Sequence, residues 1–261
     1  MAPNCSIAVL NGPNLNMLGM REPEIYGHRT LSDIEAECRK LASEKQLEID
    51  WYQSNVEGDL ITKIQLLAGS VDWIVINAAG PRAALVAQMA QLSIPVEPRP
   101  RYTFVFAAAD PPDRAVPLTV DPSGVHFRTD GKYFMAGCPP LCDGPVDYDD
   151  LTMDHSLWQE KAWPTIANRV PAFERARLIN SWVGHYAYNR LDQNAIIGPH
   201  PDLPNLIFVN GFSGHGFQQS PAMGRGVSEL IVYGEFRSLD MTPLGMERII
   251  AAQPLVEHAI I

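Results

Sequence analysis

Several groups of residues in this chain could do chemistry. After the apolar, β-branched run Ile74-Val-Ile76 come Asn77, Ala78, Ala79 and Gly80. Small residues closing such a run mark a strand end and a tight loop where a ligand can approach the backbone. A second group is Asn210-Gly-Phe-Ser-Gly214-His215-Gly216, where an apolar strand enters a glycine-rich turn and then a helix. A helix N-terminus reached this way suits an anionic or electron-rich group. A third group is Asn14, Arg21 and Tyr26, in the loop after the first strand. Read alone, Arg21 and Tyr26 are a surface pair. Cys138 and Cys142 flank Pro139-Pro-Leu141 and read as half a metal site. No matching pair of ligands and no CxxC accompany them, so reduced thiols and no metal are expected.

The elements that position these groups follow from periodicity and turn chemistry. Ser6–Leu10 reads as a strand stopped by Asn11-Gly-Pro-Asn14. Thr30 or Ser32 can cap a helix running to about Lys45, with Asp33 and Glu35 in its first turn and Ile34, Cys38 and Leu41 on its inner face. Leu47–Gln53 is a strand, and Glu57–Ala68 a helix with Leu60, Ile61, Ile64 and Leu67 at helical spacing. Trp73–Ile76 follows as a strand buried on both faces. Strand–helix–strand–helix–strand with short links predicts a doubly wound parallel sheet, with chemistry in the loops after Leu10, Gln53 and Ile76.

Beyond Asn77 the pattern changes. Pro81–Leu92 reads as a helix and Pro95–Phe106 as a long strand. Leu118–Val120, Val125–Arg128 and Tyr133–Ala136 are short strands separated by Pro122-Ser-Gly124 and Asp130-Gly131. An acidic, proline-rich loop covers Cys138–Asp150. Ser156–Val170 is a helix, Leu178–Tyr188 a strand, Leu206–Val209 an apolar strand and Pro221–Tyr233 a helix, with a last partly apolar helix from Met241.

Composition narrows the function classes. With 261 residues the chain can form one large α/β domain or two modest ones. A formal net charge of -10 argues against nucleic acid or an anionic membrane as the main partner. No apolar run nears the roughly 20 residues of a membrane span, and Met1-Ala-Pro-Asn-Cys-Ser6 lacks the regions of a signal peptide. A cytoplasmic protein acting on a small molecule is expected.

The front of the chain resembles type II 3-dehydroquinate dehydratase. The residues that carry this are Asn11-Gly-Pro-Asn-Leu-Asn-Met-Leu-Gly19, Arg21-Glu-Pro-Glu-Ile-Tyr-Gly27, Gln53-Ser-Asn55 and Glu57-Gly58, within about residues 6–77. The resemblance implies a flavodoxin-like fold, a homo-oligomer that is usually a dodecamer, and dehydration of 3-dehydroquinate to 3-dehydroshikimate on the shikimate pathway, with no cofactor. By the same resemblance Tyr26 is the base that takes the C2 proton. Arg21 lowers its pKa, since a nearby cation favours phenolate. Asn14 holds the water that stabilises the enolate, and Asn77 lies in the substrate pocket. The family continues with a Thr-His-Thr-Ser-like segment and later a Glu-Val-His-like strand end. Here Pro81-Arg-Ala-Ala84 and Val96-Glu-Pro-Arg99 stand in those places, so the histidine expected as general acid is missing.

The remainder, about residues 77–261, resembles FAD-dependent oxidoreductases of the D-amino-acid oxidase and sarcosine oxidase superfamily. The residues that carry this are Asn77-Ala-Ala-Gly80, Pro95-Val-Glu-Pro-Arg-Pro-Arg-Tyr102, Asp121-Pro-Ser-Gly124, Arg169-Val-Pro-Ala-Phe173, Ser181-Trp-Val-Gly184, Asp192-Gln-Asn194, Gly198-Pro-His-Pro201 and Asn210 through Ala222. The resemblance implies FAD as cofactor, with Gly214, His215 and Gly216 near the flavin ring and ribityl chain, and Ala78, Ala79 and Gly80 also near the cofactor. The GxGxxG fingerprint that holds the FAD pyrophosphate occurs nowhere in the chain; Asn11-Gly-Pro-Asn14 stands in its place. Pro13 has no N–H to offer a phosphate.

The expectation is a hybrid. Residues 1–80 form a dehydratase-like βαβαβ unit, and residues 81–261 the C-terminal part of an oxidoreductase. In that part a mostly antiparallel α+β layer spans about 98–194, and a returning strand and helix span 206–233. Both families place the first strand centrally, so Leu206–Val209 can add the next parallel strand beside Trp73–Ile76. Ser93-Ile-Pro-Val96 suits either family. The functional expectations are a dehydratase (a lyase), a flavin oxidase of an amine or amino acid, and a non-catalytic chimera or fused reading frame.

Overall fold

The structure, a computed structural model, describes residues 5–12, 14–20, 27–67, 69–77 and 80–256. The strands are β1 (Cys5–Asn11), β2 (Leu47–Gln53), β3 (Trp73–Asn77), β4 (Val96–Ala108), β5 (Thr119–Val120), β6 (His126–Asp130), β7 (Tyr133–Cys138), β8 (Ala176–Asn189), β9 (Ile196–His200) and β10 (Leu203–Asn210). The α-helices are α1 (Leu31–Glu44), α2 (Glu57–Leu67), α3 (Ala83–Met89), α4 (Trp163–Arg169), α5 (Gly216–Tyr233) and α6 (Met246–Ile250). The chain divides into two compact units. The first takes in the described residues of Met1–Gly80, Asn194–Asn210 and His215–Leu255; the second is built on Pro81–Gln193 and Gly211–Gly214.

The sheet of the first unit has the order β2-β1-β3-β10-β9. β1 is parallel to β2 and β3, β10 is parallel to β3, and β9 runs antiparallel on the edge. The apolar strand read at Leu206–Val209 therefore does extend the parallel sheet beside β3, through the pairs Leu206–Ile74 and Ile207–Val75. β9 has no counterpart in the sequence reading. Gly198 and Pro199 interrupt its pattern, and an edge position is where a sheet tolerates a proline. Ala8, Leu10 and Leu67 form a small core with Tyr52, Leu60, Ile64 and Val71.

Helix α1 starts as its sequence dictates. Thr30, not Ser32, is the cap: its hydroxyl accepts from the Asp33 N–H at 3.2 Å, and the Asp33 carboxylate accepts the Thr30 N–H at 2.8 Å. These bonds hold the Asp33 carboxyl below the usual range. The inner face needs a correction. Leu41 is 51% exposed, and Ala42, four residues after Cys38, is the buried position.

Helix α5 begins at Gly216, not at Pro221, which lies inside it. A proline there removes the N–H that would bond the carbonyl four residues back. That carbonyl belongs to Phe217 and accepts the Ser220 hydroxyl at 2.8 Å instead. The last helix also differs. A 3-10 turn, Thr242–Leu244, and α6 are separated by extended Gly245.

Glu229, buried on α5, accepts from the N–H groups of Arg237 (2.8 Å) and Ser238 (3.0 Å), from the Ser238 hydroxyl and from Arg225. Donors on every side, the Ser238 hydroxyl foremost, lower its pKa from 4.5 to about 2. The folded pKa is depressed, so the stabilisation is present above the unfolded value and is lost as pH falls from 4.5 towards about 2. Glu229→Gln is expected to lower Tm at pH 7. The gap to the parent protein should close across that acid window in pH-resolved thermal melts.

The second unit is an antiparallel sheet in the order β5-β6-β7-β4-β8. β4 begins at Val96, slightly before the layer expected from about residue 98. Pro98 and Pro100 lie in the part of β4 that pairs with β8, before β7 joins at Tyr102. There the Val146 N–H donates to the Pro98 carbonyl at 3.1 Å. Alternate β4 residues, Tyr102, Phe104 and Phe106, enter a core with Phe127, Phe134, Trp158, Ile166 and Phe173. Phe173 meets Phe106 edge-on at 5.0 Å and Phe134 at 4.7 Å. The helix read over Ser156–Val170 contains a π-helical stretch, Trp158–Ala162, before α4. The helix read over Pro81–Leu92 is shorter: a 3-10 turn, Gly80–Arg82, leads into α3, and the chain leaves through Gln91 at φ 57°.

Cys138 is buried, which pushes its thiol up to about 11, while Cys142 is exposed; both are free thiols. Among the described residues no helix is long and apolar enough to cross a membrane.

Candidate functional site

The parallel strands of the first unit end along one edge. There Asn11 pairs in register with Gln53 of β2 and with Asn77 of β3. In an open α/β sheet this carboxyl edge is where ligands bind. Asn11 is fully buried, and its Nδ2 donates to the Tyr52 carbonyl at 3.1 Å. Its own carbonyl accepts the Ser54 N–H at 3.1 Å. The Ser54 hydroxyl in turn donates to Asp59 at 3.1 Å and accepts the Val56 N–H at 2.9 Å.

Asn14 is built into this edge. It sits at φ 67° and starts the 3-10 turn Leu15–Met17, without using its side chain to cap it. Asparagine tolerates this left-handed conformation better than most residues. The Asn14 N–H donates to Asn55 Oδ1 at 2.9 Å, and Gln53 Nε2 donates to the same oxygen at 3.0 Å. Gln53 Nε2 also reaches the Gly12 carbonyl at 3.4 Å. The loop after β2 thus clasps the loop after β1 and leaves the exposed Asn14 carboxamide pointing at no partner among the described residues. In the sequence Gln53-Ser-Asn55 stands out as a motif with no evident role. Its place, immediately after a parallel strand, was the signal.

The other expected site residues are placed as follows. Arg21, Tyr26, Ala78 and Ala79 lie outside the described residues. Asn77 closes β3 beside Asn11. Gly80 opens a 3-10 turn at φ 46°. Gly214, in the second unit, sits at φ 102°, and a Cβ there would lie 2.4 Å from the Tyr186 ring. His215 and Gly216 belong to the first unit, as the cap and first residue of α5; the His215 side chain caps nothing. The first N–H groups of this 18-residue helix therefore have neither an intrahelical acceptor nor a side-chain cap.

The chain fits FAD only in part. A pyrophosphate needs free backbone N–H groups and close approach after the first strand. Here the Asn14 N–H is taken by Asn55, and the buried Asn11 makes its bonds within the protein. The uncapped start of α5 does suit an electron-rich ring edge.

Comparison with known proteins gives two answers for one chain. The family described as Dehydroquinase class II matches residues 5–96. A 3-dehydroquinate dehydratase of Prochlorococcus marinus subsp. pastoris is 52% identical over 73 residues, 28% of this chain and 50% of that protein. FAD-dependent oxidoreductase domain-containing protein 1 of Bos taurus is 38% identical over 201 residues, 72% of this chain and 41% of that protein.

The chain is a hybrid. A dehydroquinase-II-like segment is joined to an FAD-dependent-oxidoreductase-like region. The hybrid spans about two fifths of the oxidoreductase relative and half of the dehydratase. Its fold is also similar to the crystal structure of L-proline dehydrogenase from P. horikoshii, with TM-score 0.61 and 25% identity over 70% of the hybrid and 48% of that chain. The dehydroquinase match runs on to residue 96 and the oxidoreductase match, over 72% of the chain, takes in the same stretch past Asn77, so that stretch is similar to both.

Proposed function

We propose that the hybrid binds a small polyhydroxylated cyclic acid at the carboxyl edge of its first sheet, and dehydrates it slowly in the manner of a 3-dehydroquinate dehydratase. The observation that carries this is the clasp that holds Asn14 at the end of β1 with its carboxamide unused by its own turn. On this reading Tyr26, as phenolate beside Arg21, takes the C2 proton. Asn14 holds the water that stabilises the enolate, Asn77 contacts the substrate, and the C1 hydroxyl leaves with a proton as water. The leaving group has no positioned histidine, because Pro81-Arg-Ala-Ala84 stands where one is expected. Loss of a general acid slows such a step by about 10²–10⁴-fold.

A second reading, flavin binding without turnover, is favoured by the uncapped N-terminus of α5. One experiment on the purified chain separates the two. Ultraviolet absorbance follows enone formation from 3-dehydroquinate, and the visible spectrum is recorded with and without added FAD. Slow enone formation that disappears in Tyr26→Phe is the expected result. Turnover unchanged in Tyr26→Phe, or none over a day with substrate in excess, would reject the dehydratase reading. A perturbed flavin spectrum would put the flavin reading first.

A further inference from the structure

Among the described residues of the first unit, two buried side-chain oxygens have no hydrogen-bond partner. One is Oδ1 of Asn210, the last residue of β10, which is 6% exposed. The other is Oε1 of Gln219, in the first turn of α5. An unsatisfied buried acceptor costs about 1–3 kcal/mol. Native structures keep few of them, and each calls for an explanation. Both atoms here are acceptors, so what would satisfy them is a donor, an O–H or N–H from an ordered water or a bound molecule.

The topology places Asn210 where such a donor would be. β10 is parallel to β3, so its end lies beside the end of β3, and Asn11 and Gln53 follow across the sheet. The residues closing these parallel strands, Asn11, Gln53, Asn77 and Asn210, are all carboxamides, and Asn14 and Asn55 add two more in the adjoining loops. None carries a charge. Carboxamides read hydroxyl groups by donating and accepting at once, whereas recognition of phosphate draws on arginine, lysine and backbone N–H groups.

We infer that Asn210, supplied by the oxidoreductase-like part of the chain, accepts a hydrogen bond from a ring hydroxyl of a polyol bound at this edge, so that both parts of the hybrid build one specificity site. The inference rests on the polyhydroxy-acid reading above and adds a residue to it. β10 occupies the position beside β3 in the sheet, and its terminal carboxamide adds an acceptor from the oxidoreductase-like part of the chain.

The test uses the full chain and quinate, a stable polyhydroxy ring acid, titrated calorimetrically against the parent protein and Asn210→Leu, with thermal melts of both. Asn210→Ala serves if the leucine variant does not fold. A polar group used only to hold the fold would lower Tm when replaced. An acceptor kept for a ligand should leave Tm unchanged or raised, because an unsatisfied group has been removed. The expected result is quinate binding weakened at least tenfold with Tm not lowered. Affinity within twofold of the parent overturns the inference while leaving the polyol reading intact. A lowered Tm with affinity lost in proportion assigns Asn210 a structural role and also overturns it. If the parent protein binds no quinate at millimolar concentration, the polyol reading fails and this inference fails with it.

Discussion

Gly214→Ala is expected to destabilise the second unit by about 2–5 kcal/mol. Two independent terms add. The backbone at Gly214 has φ 102°, which a residue with a Cβ rarely adopts. The added Cβ would also lie 2.4 Å from Tyr186 Cε2 and 2.7 Å from Cζ. That ring has little room to retreat, because the Arg101 guanidinium packs over it at 4.9 Å, and Arg101 is itself held by Asp143 at 2.9 and 3.0 Å. The neighbouring turn is fastened too: Ser213 donates its N–H to the Ala187 carbonyl at 2.9 Å and accepts the Asn189 N–H at 3.0 Å. Urea denaturation of Gly214→Ala, Tyr186→Ala and the double variant checks this. The double variant should recover the steric part, leaving a residual cost near the backbone term of about 1–3 kcal/mol. Gly214→Ala with an unchanged midpoint would show that the turn can move away.

Arg248→Met is expected to cost about 3 kcal/mol, a fall in Tm on the order of 10 °C for a chain of this size. Arg248, on α6, is 8% exposed, and its guanidinium gathers backbone carbonyls from two segments. Nη1 donates to Leu244 (2.6 Å) and Gly245 (3.2 Å), and Nη2 to Asn194 (3.2 Å) and Ala195 (2.9 Å). The first two carbonyls belong to the turn before α6 and the others to the approach to β9, so one side chain ties the C-terminal segment to the sheet edge. Methionine fills similar volume but donates nothing, leaving buried carbonyls without their donor. Arg248→Lys should recover only part of the loss, because an ammonium cannot reproduce the planar fork. Thermal melts by circular dichroism decide the matter; equal Tm values for Lys and Arg would show that charge rather than geometry holds the segment.

Local chemistry made much of the fold legible in the sequence. Leu47–Gln53 is a strand because apolar and polar residues alternate along it between turn signals, and α1 starts at Thr30 because the Thr30–Asp33 pair closes a capping box. The parallel placement of β10 followed from topology, since a short apolar strand after a crossover has few places to go. Where local rules compete, the sequence misled. Pro221 looked like the start of a helix, yet the Ser220 hydroxyl takes the carbonyl that the proline leaves, so the helix starts a turn earlier. Leu41 looked like a core residue, yet the packed face falls on Ala42.

The sequence by itself determined that this chain draws on two families, that residues 1–261 contain no GxGxxG pattern, and which strand ends carry carboxamides, because those are properties of residue order. Only the tertiary structure decided that Asn55 and Gln53 clasp the Asn14 loop, that the Tyr186 ring packs where a Cβ at 214 would lie, and that Asn210 Oδ1 and Gln219 Oε1 are buried without a hydrogen-bond partner. Each of these depends on residues far apart in the chain meeting at a defined distance. No periodicity or spacing encodes such a meeting; it arises when strands pair in one register and bring their ends to one edge.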